Sequence, residues 1–210
     1  MDFDFHTIPS RFTDPIGPMR SLGTEIIWGS ETLWRYEPEA AKPEALFTAE
    51  PDEYISIVNG GAAGYVFVTN KRIGGYDAPN RWRMWYLDRN GGEPVLLDAN
   101  DHDTLPSPYF AIDDRRIVWT AFHGLAEDAR SELHLVEIDD LEHPTTLLSS
   151  PAIDLSVWLP VLHGDELWYG VNRNDWNAGA VHPHIEMIDL GNVAARPRCT
   201  ARTPARSCQP

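Results

Sequence analysis

The densest chemistry in the chain is acidic. Asp98, Asp101, His102 and Asp103 fall within six residues, and oxygen ligands at alternating positions suit calcium or another divalent cation. The glycine and the closing glutamate of a helix-loop-helix calcium loop are missing, and a solvated acidic loop needs the same residues without any ligand. His182 and His184 lie two apart, so on a strand both side chains point to one face, as metal ligands can. With Asp101 and Asp103 they make up the candidate metal ligands. Trp176 stands among Asn172, Arg173, Asn174 and Asn177, an aromatic ring flanked by hydrogen-bonding groups that would suit a sugar or a peptide. A ring folded back over its own sheet accounts for it equally well. Asp154 adds a further acid in a loop, while His123 and His163 read as turn residues.

Nucleophilic catalysis finds no support. The chain has no Gly-x-Ser-x-Gly, no phosphate-binding loop and no His-Glu-x-x-His. Its two cysteines, Cys199 and Cys208, both lie in the last dozen residues, so a disulfide framework or thiolate metal site in the body is excluded. With 32 Asp and Glu, spacing cannot select one general acid and one base, and no catalytic residue is assigned.

The charge is unevenly placed. Four of the 17 basic residues (Arg196, Arg198, Arg202, Arg206) sit in a tail without acids, leaving 13 against 32 acids in the rest, a body charge of −19. Such a surface repels phosphate backbones and anionic lipid, so neither nucleic acid nor membrane is expected as a partner, and a basic protein or peptide is. The segment Met1 to Phe12 is acidic and broken by Pro9, unlike a secretory signal. The chain as written is expected in the cytoplasm, and in the periplasm or outside the cell if its N-terminus is incomplete.

What positions these residues is a repeat. Glu37, Asp88, Asp139 and Asp189 each close an alternating apolar run, at offsets of 51, 51 and 50. Pro43, Pro94 and Pro144 follow the first three at the same period. Preceding them are Ile26 to Trp28, Val66 to Val68, Ile117 to Trp119 and Leu167 to Tyr169, runs of strand character. Trp28, Trp119 and Trp168 are read as unit-equivalent strand positions and are expected to fill wedges between units. Each unit reads strand, tight turn, strand, longer loop, strand, turn, strand, and no segment sustains a period near 3.6. A four-stranded antiparallel meander of this size cannot cover both of its faces, whereas several packed radially can. The expected fold is all-β, a β-propeller or propeller fragment of about four blades, at about 15–49, 53–98, 106–149 and 155–190. Residues 1–14 form an N-terminal extension in this reading, and 191–210 a disordered tail rich in Arg and Pro.

Trp85 to Asp88 followed by Gly91, Gly92 and Pro94 to Leu97, and Leu135 to Asp139 followed by Leu147 to Ser149, resemble the TolB-type propeller repeat. Pro108 to Phe110 with Ile117 to Trp119 are similar to that family's first two strands. The resemblance extends over roughly residues 15 to 190. It implies a ring of six blades; with its last blade one strand short this chain is expected to be a partial copy, the alternatives being a ring closed with four blades or two chains that complete each other. It also implies that the loops after the second and fourth strands share one ligand-receiving face. Kelch and WD signatures are missing.

Two functions follow as expectations. The first is a noncatalytic scaffold that binds a basic protein or peptide through the acidic loop face, at Asp98, Asp101, His102, Asp103, Asp154, Arg173 and Trp176, without a cofactor. The second is the propeller domain of a lyase or peptidase-like enzyme, metal-assisted through calcium or another divalent cation. Open blade edges add self-association as a further expectation.

Overall fold

In the computed structural model, which describes residues 17–40, 42–71, 81–101, 106–124, 128–175 and 179–191, the runs rich in branched and aromatic side chains become fifteen strands. The first sheet holds β1 (Met19–Leu22), β2 (Glu25–Trp28), β3 (Thr32–Tyr36) and β4 (Glu44–Thr48). The second holds β5 (Glu53–Gly60), β6 (Gly64–Lys71), β7 (Trp82–Asp88) and β8 (Val95–Asn100). The third holds β9 (Tyr109–Ile112), β10 (Arg116–His123), β11 (Arg130–Glu137) and β12 (Thr145–Pro151). The fourth has three strands, β13 (Leu155–His163), β14 (Glu166–Asp175) and β15 (Ala180–Asp189). Every sheet is an antiparallel meander in chain order, and the described residues include no α-helix, only short 3-10 turns such as Ile138–Asp140.

Short turns reverse the chain between first and second strands. Gly23 and Gly164 adopt φ of +64° and +56°, a left-handed backbone that a side chain would strain. The first strands lie side by side, β1 against β5, β5 against β9 and β9 against β13, so the sheets fan out from a common axis. Three apolar clusters fill the gaps between consecutive sheets. Ile27 and Leu33 meet Tyr65 and Phe67; Val66, Met84 and Tyr86 meet Ile117 and Trp119; Val118 and Leu133 meet Leu167, Tyr169 and Val171. This is the wedge packing of a β-propeller, and the all-β expectation of four meanders with the last one strand short holds among the described residues.

Alternation along the second strands decides which wedge each side chain enters. Counting from the first residue of β2, β6, β10 and β14, the fourth position is Trp28, Phe67, Trp119 and Tyr169; the last three face the preceding sheet, and Trp28 lies on the corresponding outward face of the first. The third is Ile27, Val66, Val118 and Trp168, facing the other way. Trp168 is therefore not the equivalent of Trp28 and Trp119 expected from the repeat; it lies one position earlier and on the opposite face. The run at Val66 is out of phase by the same single residue.

The fourth strands carry a shared irregularity. The register slips by one residue opposite Leu33/Trp34, Met84/Trp85 and Leu133/His134, leaving Leu46, Leu97 and Leu147 as the extra residues of three β-bulges. A bulge points two consecutive side chains the same way. Leu46 with Phe47, and Leu147 with Leu148, consequently both pack into apolar clusters.

Polar ties clamp the wedges at the end where first and second strands are joined. Glu25 is almost fully buried and accepts hydrogen bonds from Tyr65 Oη and Arg89 Nη2 of the second sheet, each at 3.0 Å. Between the third and fourth sheets the sign is reversed, with buried Arg116 donating to Asp113 Oδ2 at 2.9 Å and to Asp165 Oδ1 at 3.0 Å.

Candidate metal centre

The strands on either side of the second loops run further than their sequence spacing indicates. β10 extends to His123 and β11 begins at Arg130, with registers that place His123 opposite Arg130, Ala121 opposite Glu132 and Trp119 opposite His134. His123 is thus the last residue of a strand and not a turn residue. It shares with Glu132 and His134 the face turned toward the second sheet, where Asp98 of β8 meets them.

One ligand atom from each of Asp98, His123 and His134 lies within 4.8 Å of the other two. His123 Nε2 is 3.3 Å from Asp98 Oδ2 and 4.0 Å from Glu132 Oε2, and His134 Nε2 is 3.4 Å from Glu132 Oε2. Four donor groups, two imidazoles and two carboxylates, therefore converge at the mouth of the wedge between the second and third sheets. The spacings resemble the edges of a small coordination shell: metal–ligand bonds of about 2.0–2.1 Å put neighbouring tetrahedral ligands roughly 3.3 Å apart.

The surrounding groups hold these side chains in place. Asp98 Oδ2 accepts a hydrogen bond from Trp119 Nε1 at 2.6 Å, and Oδ1 accepts from the amide of Ala99 at 2.8 Å. The His134 ring stacks on Trp119 with centroids 5.0 Å apart, and its Nδ1 is 3.1 Å from Thr146 Oγ1. Glu132 Oε1 accepts from the Ser149 hydroxyl at 2.5 Å. His134 Nε2 is buried, aimed at the cluster, and has no hydrogen bond: its 3.4 Å approach to Glu132 lacks hydrogen-bond geometry. A buried ring nitrogen without a hydrogen bond, its other nitrogen beside a hydroxyl that can orient it, suits a metal-binding imidazole. The residues present fit a divalent ion.

Electrostatics couple the same groups. The hydrogen bond it donates to Asp98 raises the His123 imidazole above its ordinary value, against the opposing effect of burial, and the Asp98 and Glu132 charges add to the rise. The His134 ring holds the Glu132 carboxyl down to about 2; burial opposes this, and Ser149 reinforces it.

Repeat symmetry shows why this wedge differs from the others. The position of Asp98 beside the bulge is held by Phe47 in the first sheet and Leu148 in the third. That of His134, opposite the fourth residue of the second strand, is Trp34 in the first sheet and Trp85 in the second. In the fourth sheet Glu186 takes the His134 place opposite Tyr169, so among the described wedges only the one between the second and third sheets joins an imidazole at that place to a carboxylate at the Asp98 place. Glu132 and His134 went unremarked among the sequence candidates, and the signal that finds them is this departure from the repeat.

The other sequence candidates scatter. Asp101 is exposed just past β8, while His102, Asp103 and Trp176 lie outside the described residues, as do the 1–14 extension and all of the tail beyond Gly191. Asp154 is exposed between β12 and β13, where its carbonyl accepts from the Asn174 amide. Arg173 belongs to β14 and not to a loop, paired in register with His182. Its Nη2 donates to Glu186 Oε1 at 2.8 Å, and its Nε is 3.5 Å from His184 Nε2. A guanidinium thus lies against the His184 ring nitrogen, which is unfavourable for a second cation there. An open concavity lined by Leu22, Gly23, Gly61, Ala62 and Arg89 lies at the opposite end of the sheets, away from the metal-binding cluster.

Fold and site together define a β-propeller with a polar wedge. Among solved structures the chain is similar to an oligogalacturonate lyase in complex with manganese, at 12% identity and a TM-score of 0.51, covering 76% of this chain and 50% of that one. It is also similar to an α-L-arabinanase from Penicillium chrysogenum complexed with arabinobiose, at 7% identity, covering 82% and 62%, TM-score 0.46. A third is an endo-arabinase from Bacteroides thetaiotaomicron, at 12% identity, covering 90% and 81%, TM-score 0.42. These neighbours are propeller proteins, and the likeness to the lyase establishes the fold alone. The chain spans half the length of that lyase. No family model matches the sequence, and no curated protein matches it. Among the described residues no helix is long and apolar enough to cross a membrane.

Proposed function

We infer that this chain is a metal-binding propeller module of an enzyme, with Asp98, His123 and His134 as ligands and Glu132 as a fourth donor or the base beside the ion. The observation that carries the reading is the convergence of Asp98, His123 and His134 within 4.8 Å of one another, with His134 Nε2 buried and without a hydrogen bond. Two imidazoles and carboxylate oxygens favour manganese, iron or zinc over calcium, which prefers oxygen alone. A bound ion would supply Lewis acidity, and a lyase-type or hydrolytic reaction on a polar substrate is the class of chemistry such a site serves. The TolB-type reading of the repeat accompanies this proposal and rests on the strand motifs around Trp85 and Leu135.

The test is titration calorimetry of the whole chain with Mn2+ and Zn2+. One ion should bind per chain, and His134→Ala or Asp98→Ala should weaken binding by about 100-fold, the scale on which even supporting groups matter. His182→Ala should leave it unchanged. Equal affinity in the His134→Ala variant, or no binding by the parent chain, rejects the site.

A noncatalytic scaffold for a basic peptide is the second reading, favoured by the net charge of −15 and the exposed Asp101 and Asp154 near the ends of the fourth strands. Binding of a poly-lysine probe that is unaffected by salt between 50 and 300 mM, about a halving of the Debye length, would count against it.

A further inference from the structure

The geometry points to a second copy of this chain as the cover of the fourth sheet's outer face, the two copies meeting about a two-fold axis. The repeat itself says that such a face is meant to be covered. Ile27, Val66 and Val118, at the third position of their strands, are each 0% exposed because the next sheet lies on them. Their counterpart Trp168 is 41% exposed. Beside it on the same face are Met187, opposite Trp168, and Ile185, opposite Gly170, the latter 73% exposed. Val181 and Val161 extend the patch to the ends of β15 and β13. An interface that occurs three times within the chain is here half built.

The partner surface is the same face of the other copy. A head-to-tail arrangement would need the outward side of the first sheet, but there Trp28 and Tyr36 are 5% and 8% exposed and so offer little new area. Pairing through the edge of β15 is disfavoured by Pro183 in mid-strand, which lacks the amide an added strand would use. Three strands of up to ten residues present a face of about 33 by 14 Å, roughly 460 Å² in projection. Side-chain relief brings this toward the roughly 800 Å² per partner of standard interfaces. Two-fold pairing of like faces is the commonest route to a homo-oligomer, and aligned sheets pack about 10 Å apart.

Charge supplies a signature. Each chain carries −15, and Glu166 and Asp189 flank one end of the patch, so association proceeds against repulsion and should tighten as salt rises. An interface made of ion pairs would respond in the opposite sense.

Sedimentation equilibrium of the full chain between about 1 and 100 µM is the experiment, with concentrations spanning the micromolar range of modest interfaces. Expected are a mass of two chains, tightening between 50 and 500 mM NaCl, and at least about a tenfold weakening by Ile185→Lys or Trp168→Glu. Ile185 projects into solvent, so its replacement should leave the circular dichroism and the unfolding midpoint of the single chain intact. Leu96→Lys, an exposed apolar site on the second sheet, should not affect association. A parent chain that stays single throughout this range, whatever else lies on the face, overturns the proposal. So does a pair that Ile185→Lys leaves intact or that Leu96→Lys disrupts equally.

Discussion

Two tryptophans provide the sharpest test of the wedge packing. Trp119 is 2% exposed, packed between the second and third sheets, stacked on His134 and hydrogen-bonded to Asp98. Truncating a buried tryptophan to alanine costs about 3–5 kcal/mol from lost burial and the cavity left behind. The indole N–H also serves a carboxylate, a bond worth about 1.5–3 kcal/mol, of which part is recovered because Asp98 keeps the Ala99 amide and His123. Trp119→Ala should therefore destabilise by about 5 kcal/mol. Trp119→Phe retains most of the ring contact and should cost about 2 kcal/mol, chiefly the hydrogen bond. For a chain of this size each kcal/mol moves the melting temperature by roughly 2–4 °C, so the two variants separate by about 6–12 °C. Trp168→Ala removes a half-exposed ring and should cost under about 1 kcal/mol. Urea unfolding, in an Ile185→Lys background that keeps the chains apart, reads all three. Equal losses at Trp119 and Trp168 would refute the register assigned to the fourth sheet, and a loss below about 1.5 kcal/mol for Trp119→Ala would refute the wedge itself.

Other outcomes follow from the same contacts. Glu25→Ala leaves the buried Tyr65 hydroxyl short of an acceptor and Arg89 with only the Gly61 carbonyl, and should cost about 2–3 kcal/mol in urea unfolding, with Glu25→Gln costing about half as much because an amide oxygen can still accept from Tyr65. Equal losses for the two would count against the hydrogen-bond account. Burial pushes the Glu186 carboxyl up, but hydrogen bonds from Arg173, His184 and Tyr169 outweigh it and hold the group below its usual value. That contribution is complete above the ordinary value of 4.5 and is lost as pH falls through the lower folded value, so Glu186→Gln should flatten the acid limb of a stability–pH curve while leaving its alkaline limb unchanged.

Much of the architecture was legible before any coordinates. Offsets of 51, 51 and 50 between strand-closing acids, with prolines in step, fixed the number of sheets and their meander order, because each unit must bury its faces on its neighbours. Strand lengths were underestimated at the second loops: polar residues such as His123 and Arg173 look like loop residues in one dimension, yet they continue a ladder once a partner strand is present. The site was half legible. Asp98 stood out as an acid among acids, whereas His134 and Glu132 show their meaning only beside Trp34, Trp85 and the Phe47–Leu148 position.

What the sequence determined by itself is the local alternation and its repetition, since both are written in side-chain type at short range. Which wedge a side chain enters was decided by tertiary structure. A period of two has no sign: a one-residue shift, as at Trp168, or one inserted residue, as at Leu97, sends a side chain to the opposite face with no change in composition. Only the packing of one sheet on the next chooses between the two, and that choice buried Trp119, exposed Trp168 and brought Asp98 to two histidines from another blade.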